Sequence, residues 1–155
     1  MNTLIKEVYQ AVHNTRSDAV FGISPQGNIN NNDALGADVR KWCKEDGYID
    51  YICPQIYFSL DNPALGFEDC LDQWKSIKKH SGLRFYTGLA GYKAGSDADD
   101  GTWLDNDDIL LTEVKICKES GADGFMLYSY DSLFNDESTE EVRNVMNYLT
   151  SSPVQ

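Results

Sequence analysis

Residues 48–58 read YIDYICPQIYF. Ile49, Tyr51 and Ile52 give the stretch the apolar character of a buried strand, and Pro54, Gln55 and Tyr57 follow at its far end. A proline, an amide and a phenol closing an apolar strand call for a reason. In a parallel α/β sheet the carboxyl ends of the strands are where ligands bind. The meaning of this segment therefore depends on whether the rest of the chain builds such a sheet.

Working outward, apolar residues alternate between helical spacing and short continuous runs. Before the opening stretch, Leu4, Ile5, Val8, Tyr9 and Val12 form a helical stripe, Ala19–Ser24 (AVFGIS) reads as a buried strand, and Leu35, Val39, Trp42 and Cys43 return to helical spacing. Beyond the strand Ile49–Tyr57, Phe67, Cys70, Leu71, Trp74 and Ile77 mark a helix ending in Lys78 and Lys79, as the helix dipole favours. Leu83–Ala90 is the next strand, and Leu110, Val114 and Cys117 line a helix stopped by Gly121. Gly124–Tyr130 is the last strand. Ser138 and Glu141 have the spacing of a capping box for a final helix carrying Val142, Val145, Met146 and Leu149. The expected order is αβαβαβαβα, an α/β fold of parallel βα units.

Strand starts lie roughly 30 to 40 residues apart, near one βα unit of an eightfold barrel of about 250 residues. Four units make half of one. Such a half leaves two sheet edges and an uncovered interior face. A larger chain cut to its carboxyl half, two copies closing together, and a self-sufficient open sheet are the three ways to meet that problem. No repeat or linker divides residues 1–155, so one domain is expected.

The 155 residues hold 41% hydrophobic and 12% aromatic residues, enough for a packed core. Formal net charge is -12, from 25 acidic residues against 13 Lys and Arg, which argues against nucleic acid as a partner because phosphate needs a basic surface. No run has the length of a membrane span, and MNTLIKEVYQ lacks the apolar core of a signal peptide, so the chain as written reads as soluble. Cys43, Cys53, Cys70 and Cys117 form no CxxC pair and read as reduced core thiols; neither a metal nor a cofactor is expected.

Three segments carry a resemblance: FGISPQG (residues 21–27), ALGADVRKWCKEDGYIDYICPQIYF (residues 34–58) and GFMLYSYDSL (residues 124–133). They resemble the glycosyl-hydrolase-like family of bacterial (βα)8 barrels. In that family a G-x-S-P-x-G strand end is followed by an A-D-x-R-x-W helix, an I-D-Y-I-x-P-Q-x-Y strand and a last strand ending near F-S-Y. The resemblance implies the last four βα units of a TIM-type barrel, with the amino-terminal half missing. It also implies that Gln55 and Tyr57 project from the sixth barrel strand into a sugar-holding cleft. An amide both donates and accepts, which suits paired sugar hydroxyls.

Other strand ends supply further candidates. Ser24 closes the first strand facing the cleft, but GISPQG is not a nucleophile elbow and neither His13 nor His80 lies near a strand end. The long loop from Thr87 to Trp103 offers Tyr92 and Trp103 as sugar-stacking rings. Asp97, Asp99 and Asp100 in it fall short of a calcium loop, which leaves a solvated, flexible segment as the expectation. Tyr130 joins the substrate-binding set at the last strand end, and Asp131, just after it, is the candidate catalytic carboxylate. Asp50 precedes its strand's core and should serve stability. Asp38 and Arg40 lie on a helix, where an outside salt bridge is the default reading.

The expected function is glycoside hydrolysis by acid and base carboxylates in the intact protein. The strand ending LAGY has no glutamate, and this half supplies no confident pair, so the chain alone is expected to be inactive. The rival is a non-catalytic carbohydrate-binding or structural barrel; a flavodoxin-like open sheet ranks last. The expected partners are a carbohydrate substrate and either a second copy, seated on exposed Val20, Phe21, Phe85 and Phe125, or the missing amino-terminal half-barrel. Relatives acting on external polysaccharide are often exported, so compartment stays open.

Overall fold

The computed structural model describes residues 1–104 and 107–151. Its elements run α1 (Asn2–Thr15), β1 (Gly22–Ile23), α2 (Ile29–Ala34), α3 (Val39–Lys44), β2 (Tyr51–Ile52), α4 (Phe67–Ser76), β3 (Arg84–Leu89), α5 (Ile109–Ser120), β4 (Gly124–Leu127) and α6 (Thr139–Ser151). The four strands form one parallel sheet in sequence order, β1-β2-β3-β4. The fold is α/β with parallel βα units, the arrangement of half a (βα)8 barrel.

Two strands are shorter than their apolar runs because prolines interrupt them: Pro25 and Pro54 bring no N–H to the ladder. The main chain nevertheless stays paired beyond them. Gln55 N donates to Pro25 O at 2.9 Å and Gly88 N donates to Pro54 O at 2.9 Å, so Gln55 bridges both neighbouring strands. The strand read as Ile49–Tyr57 is thus a two-residue core with a bridged extension.

Register assigns the two faces of the sheet. Ile23, Ile52 and Phe85 align, and Thr87 with Phe125 and Leu89 with Leu127 continue that face. This side packs into the core built with Val39, Trp42, Phe67, Leu71, Trp74, Leu110 and Val114. The opposite face carries Tyr51, Tyr86 and Met126. The Tyr51 and Tyr86 rings meet edge to face, 5.7 Å between centroids. A β-carbon on Gly22 would lie 2.3 Å from the Tyr51 ring, so only glycine fits there.

Several sequence expectations need correction. Phe85 is buried and Phe125 packs against the core, so neither belongs to the open face; Phe21 meets Tyr9 of α1, 6.5 Å between ring centroids. The single helix expected around Leu35–Cys43 is two, because Gly36 takes a left-handed φ of 71° between them and Leu35 points to solvent. The α1 stripe is not core: none of its residues is buried, and Leu4 and Val8 are exposed.

Ile5 packs against the core from its edge, and polar contacts add to the hold on α1. The Asp50 carboxylate accepts from Phe21 N at 2.7 Å, pairs with His13 Nε2 at 2.9 Å and accepts from Tyr9 Oη at 3.3 Å. Asp38 caps α3 through Lys41 N at 3.1 Å, while Arg40 pairs with Asp33 at 2.7 Å, so no Asp38–Arg40 bridge forms. Ser138 and Glu141 do not make a capping box. Ser138 Oγ donates to Ser132 O at 2.5 Å, and Glu141 Oε2 accepts from Leu110 N at 2.6 Å. Gly121 does end α5, with a φ of 81°, and Lys79 Nζ donates to the terminal carbonyls of α4 at Trp74 and Ile77, 2.8 and 3.1 Å away.

All four cysteines are free and buried. Burial pushes their thiols up to about 11 for Cys43 and Cys53 and about 12 for Cys70 and Cys117, so they stay protonated and unreactive. Among the described residues no helix is long and apolar enough to cross a membrane.

Candidate functional site

The carboxyl ends of the parallel strands share one edge, and three tyrosines meet there. Tyr57 follows β2, Tyr92 follows β3 and Tyr128 follows β4. The Tyr57 ring lies 5.7 Å from Tyr92 edge to face and 5.9 Å from Tyr128 in a stacked arrangement; Tyr92 and Tyr128 meet edge to face at 5.9 Å. Tyr57 is half-buried, whereas Tyr92 and Tyr128 are 46% and 59% exposed. The cluster therefore presents two open rings resting on a supported one. Gly88 makes room: a β-carbon there would touch Tyr57 Cε1 at 3.4 Å and approach Pro54 O at 3.0 Å.

Burial, helped by Cys53, Tyr92 and Tyr128, pushes the Tyr57 phenol up to about 12. It stays neutral at ordinary pH and keeps both a donor and an acceptor. Gln55, two residues before Tyr57, turns its amide toward β1. Its Nε2 donates to Ser24 O at 3.1 Å, and the amide retains a second N–H and its carbonyl oxygen for other partners. Below it Gly27 is obligatory, because a β-carbon there would lie 2.3 Å from Gln55 O. Trp74 Nε1 donates to Gly27 O at 2.6 Å and Asn32 Nδ2 donates to Gln26 O at 2.7 Å, pinning the SPQG turn.

The other candidates are placed as follows. Ser24 is exposed at the end of β1, where its carbonyl serves Gln55. Tyr130 and Asp131 are exposed in a 3₁₀ turn, Tyr130–Phe134; the Tyr130 ring packs on Phe134 at 5.0 Å and stands outside the three-tyrosine cluster. Trp103 is a correction: it is 1% exposed and packed in the core, which leaves neither ring face for a sugar.

The loop holding Trp103 is a second correction, since it is built rather than merely solvated. Lys93 Nζ donates to Asp99 Oδ1 at 2.7 Å and to Tyr57 O at 2.8 Å, and Trp103 Nε1 donates to Asp99 Oδ2 at 2.9 Å. Burial pushes the Asp99 carboxyl up, but hydrogen bonds from Lys93, Trp103 and Asn62 outweigh it and hold the group below its ordinary value. Asp99 is therefore a lysine partner. Among the described residues no group of three or more His, Cys, Asp or Glu could hold a metal ion.

Sequence reasoning missed Tyr128, Lys93 and Glu113. Tyr128 has the same parity as Gly124 and Met126, but the strand was read to Tyr130, carrying the rim two residues too far. Glu113 lies three residues after Leu110 and four before Cys117, and a charge on an apolar stripe was its signal. It is fully buried, and neither of its carboxyl oxygens has a hydrogen-bond partner among the described residues. Burial, then the charge of Glu141, raises its carboxyl well above the ordinary value.

The profile of the glycosyl hydrolase-like 10 family matches residues 1–105. The chain belongs to this family. It is 32% identical over 126 residues to the protein named glycosyl hydrolase YngK of Bacillus subtilis (strain 168), covering 71% of this chain and 24% of that protein. It is 33% identical over 107 residues to glycosyl hydrolase DigH of Escherichia coli (strain K12), covering 59% of this chain and 24% of that protein, and it matches the DigH of Shigella flexneri to the same extent. The chain thus spans about a quarter of the length of these curated relatives. No solved structure matches it. The matched region includes β1 to β3 with Ser24, Gln55, Tyr57 and Tyr92; Tyr128, Tyr130 and Asp131 lie beyond the family match.

Proposed function

We propose that residues 1–155 are the carboxyl half-barrel of a glycosyl hydrolase-like domain and that the tyrosine rim is its carbohydrate-binding wall. Sugar rings would rest on Tyr92 and Tyr128 with Tyr57 behind them, while Gln55 and the Tyr57 hydroxyl meet sugar hydroxyls. The observation carrying this reading is the convergence of three rings from three different strand ends, all within 5.9 Å of one another, at the edge where parallel sheets bind ligands. The family membership and the names of the relatives support the same substrate class.

In the whole protein the reaction would be hydrolysis of a glycosidic bond, which ordinarily uses two carboxyl groups about 5 to 9.5 Å apart. Asp131 is the strand-end carboxylate offered from this half, and its partner would come from elsewhere in the domain. The 155-residue chain is accordingly expected to bind oligosaccharide without useful turnover.

Calorimetric titration with cellohexaose and with chitohexaose tests the rim. Binding by the wild-type chain should weaken about tenfold in Tyr92→Ala and in Tyr128→Ala, the scale of one lost aromatic contact. If neither sugar binds, or both variants bind as tightly as wild type, this reading is wrong.

A further inference from the structure

The tyrosine cluster is tied together from one dipeptide. Tyr92 N donates to Tyr128 O at 3.1 Å, which couples the turn after β3 to the end of β4. The next residue, Lys93, sends its side chain the other way, to the carbonyl of Tyr57 at the end of β2. Main chain and side chain of residues 92–93 thus link all three strand ends that carry the rings, beyond the ladder bonds from Gly88 N to Pro54 O and from Tyr128 N to Leu89 O.

The lysine is itself anchored. Its side chain and that of Asp99 are only 16% and 14% exposed, so their 2.7 Å bond is a sheltered, charge-assisted one. Asp99 in turn is fixed by the indole N–H of Trp103, a core residue. A tether running from the core to a carbonyl under the rim transmits the core's rigidity to Tyr57.

We propose that Lys93 is a positioning residue of the rim: it holds Tyr57 in place against Tyr92 and Tyr128 through the Tyr57 carbonyl and makes no contact with ligand. The functional consequence rests on the carbohydrate reading given above; the geometric statement does not. Lys93→Met keeps the length of the side chain but leaves the carbonyl without its donor and Asp99 without its cation, and the spacing of the rings should relax.

The test uses the full chain and two readouts that loss of stability alone would not move. Near-UV circular dichroism in the tyrosine band reports fixed ring packing, and titration with cellohexaose reports the binding consequence. Both are measured well below the melting temperature, with Leu71→Ala, a core change in α4, as a destabilised control. Lys93→Met should lose much of the tyrosine band and weaken binding about three- to tenfold, while Leu71→Ala keeps both. A folded Lys93→Met with the wild-type tyrosine band would overturn the proposal. Should that variant fail to fold, Asp99→Asn is read in the same way, with an unchanged band again decisive against it. If the wild-type chain does not bind the hexasaccharide, the carbohydrate reading falls, and the tyrosine band alone still decides the role of Lys93.

Discussion

The two faces of the sheet are built by different rules. On the helix side, β3 and β4 present Phe85, Thr87, Leu89, Phe125 and Leu127 to a core of tryptophans and aliphatic residues. On the other side the same strands show Tyr86 and Met126, with Tyr51 from β2; Gly22 leaves room for Tyr51, Gly124 for Tyr86, and Gly88 for Tyr57. One face is close-packed by helices of this chain. The other mixes glycine with aromatic residues and remains half open. In a strand, neighbouring residues point to opposite faces, so a shift of one position exchanges the two sets.

The sharpest way to break this assignment is to truncate one residue on each face. Phe85→Ala should cost about 3 to 5 kcal/mol, as expected for emptying a buried phenylalanine site. Met126→Ala, on the exposed side, should stay within about 1 kcal/mol. Urea midpoints, compared at constant slope, measure both. Equal losses would mean that the faces have been assigned wrongly.

This distinction also marks how far the sequence could be read. Element order was legible because the helical and strand periods alternate, and IDYICPQIY placed Gln55 and Tyr57 at a strand end. The face to which a mainly apolar run points its residues was not legible. LRFYTGLA and GFMLYSY lack a strict alternation of polar and apolar residues to mark inside from outside, so the sequence alone puts Phe85 and Phe125 on the open face. Trp103 was misjudged for a related reason: an aromatic in a long acidic loop looks exposed until Asp99 is seen to accept its indole N–H. The Ser138–Glu141 spacing mimicked a cap, yet Glu141 serves the start of α5, a contact between residues 31 apart that no local pattern encodes.

The helix side contains acids as well as hydrocarbon, which gives a pH test of the same comparison. Burial raises the Glu141 carboxyl to about 7, with Asp107 and Asp108 adding to the rise and hydrogen bonds from Leu110 N and Ile109 N opposing it, and burial with the charge of Glu141 raises Glu113 well above its ordinary value. Both folded values lie above the ordinary 4.5, so folding takes up protons. Both contributions to stability are complete below about pH 4.5; that of Glu141 is lost as pH rises through about 7, and that of Glu113 is likewise lost as pH rises. Wild type should therefore melt lower at pH 8 than at pH 5. Glu113→Gln should flatten that fall and gain a few degrees, on the order of 4 °C per kcal/mol for a domain of this size, at pH 8. A variant whose melting temperature falls with pH as steeply as wild type would show that Glu113 carries no strain.

The open face gives the smallest expected effect. Val20 and Met126 are exposed beside Tyr51 and Tyr86, around a concavity of about 430 Å³ that Arg84 also lines. β1 and β4 are the two edges of the sheet, and an uncovered edge offers main-chain groups to a second chain. Both features favour pairing of copies at micromolar concentration. A net charge of -12 on each copy opposes it, and that repulsion reaches about 10 Å at 0.1 M salt but only about 3 Å at 1 M. Apolar contact is not screened in this way, so the associated fraction in sedimentation velocity should rise with salt. Met126→Asp places a charge in the middle of the face and should weaken association about tenfold, the equivalent of roughly 1.4 kcal/mol. Glu119→Lys, an exposed change on α5 that reduces the magnitude of the negative charge without touching this face, should instead strengthen association slightly at low salt. A monomer at both salt concentrations would mean that the face is stable uncovered, and that its tyrosines and glycines already satisfy one another across the strands.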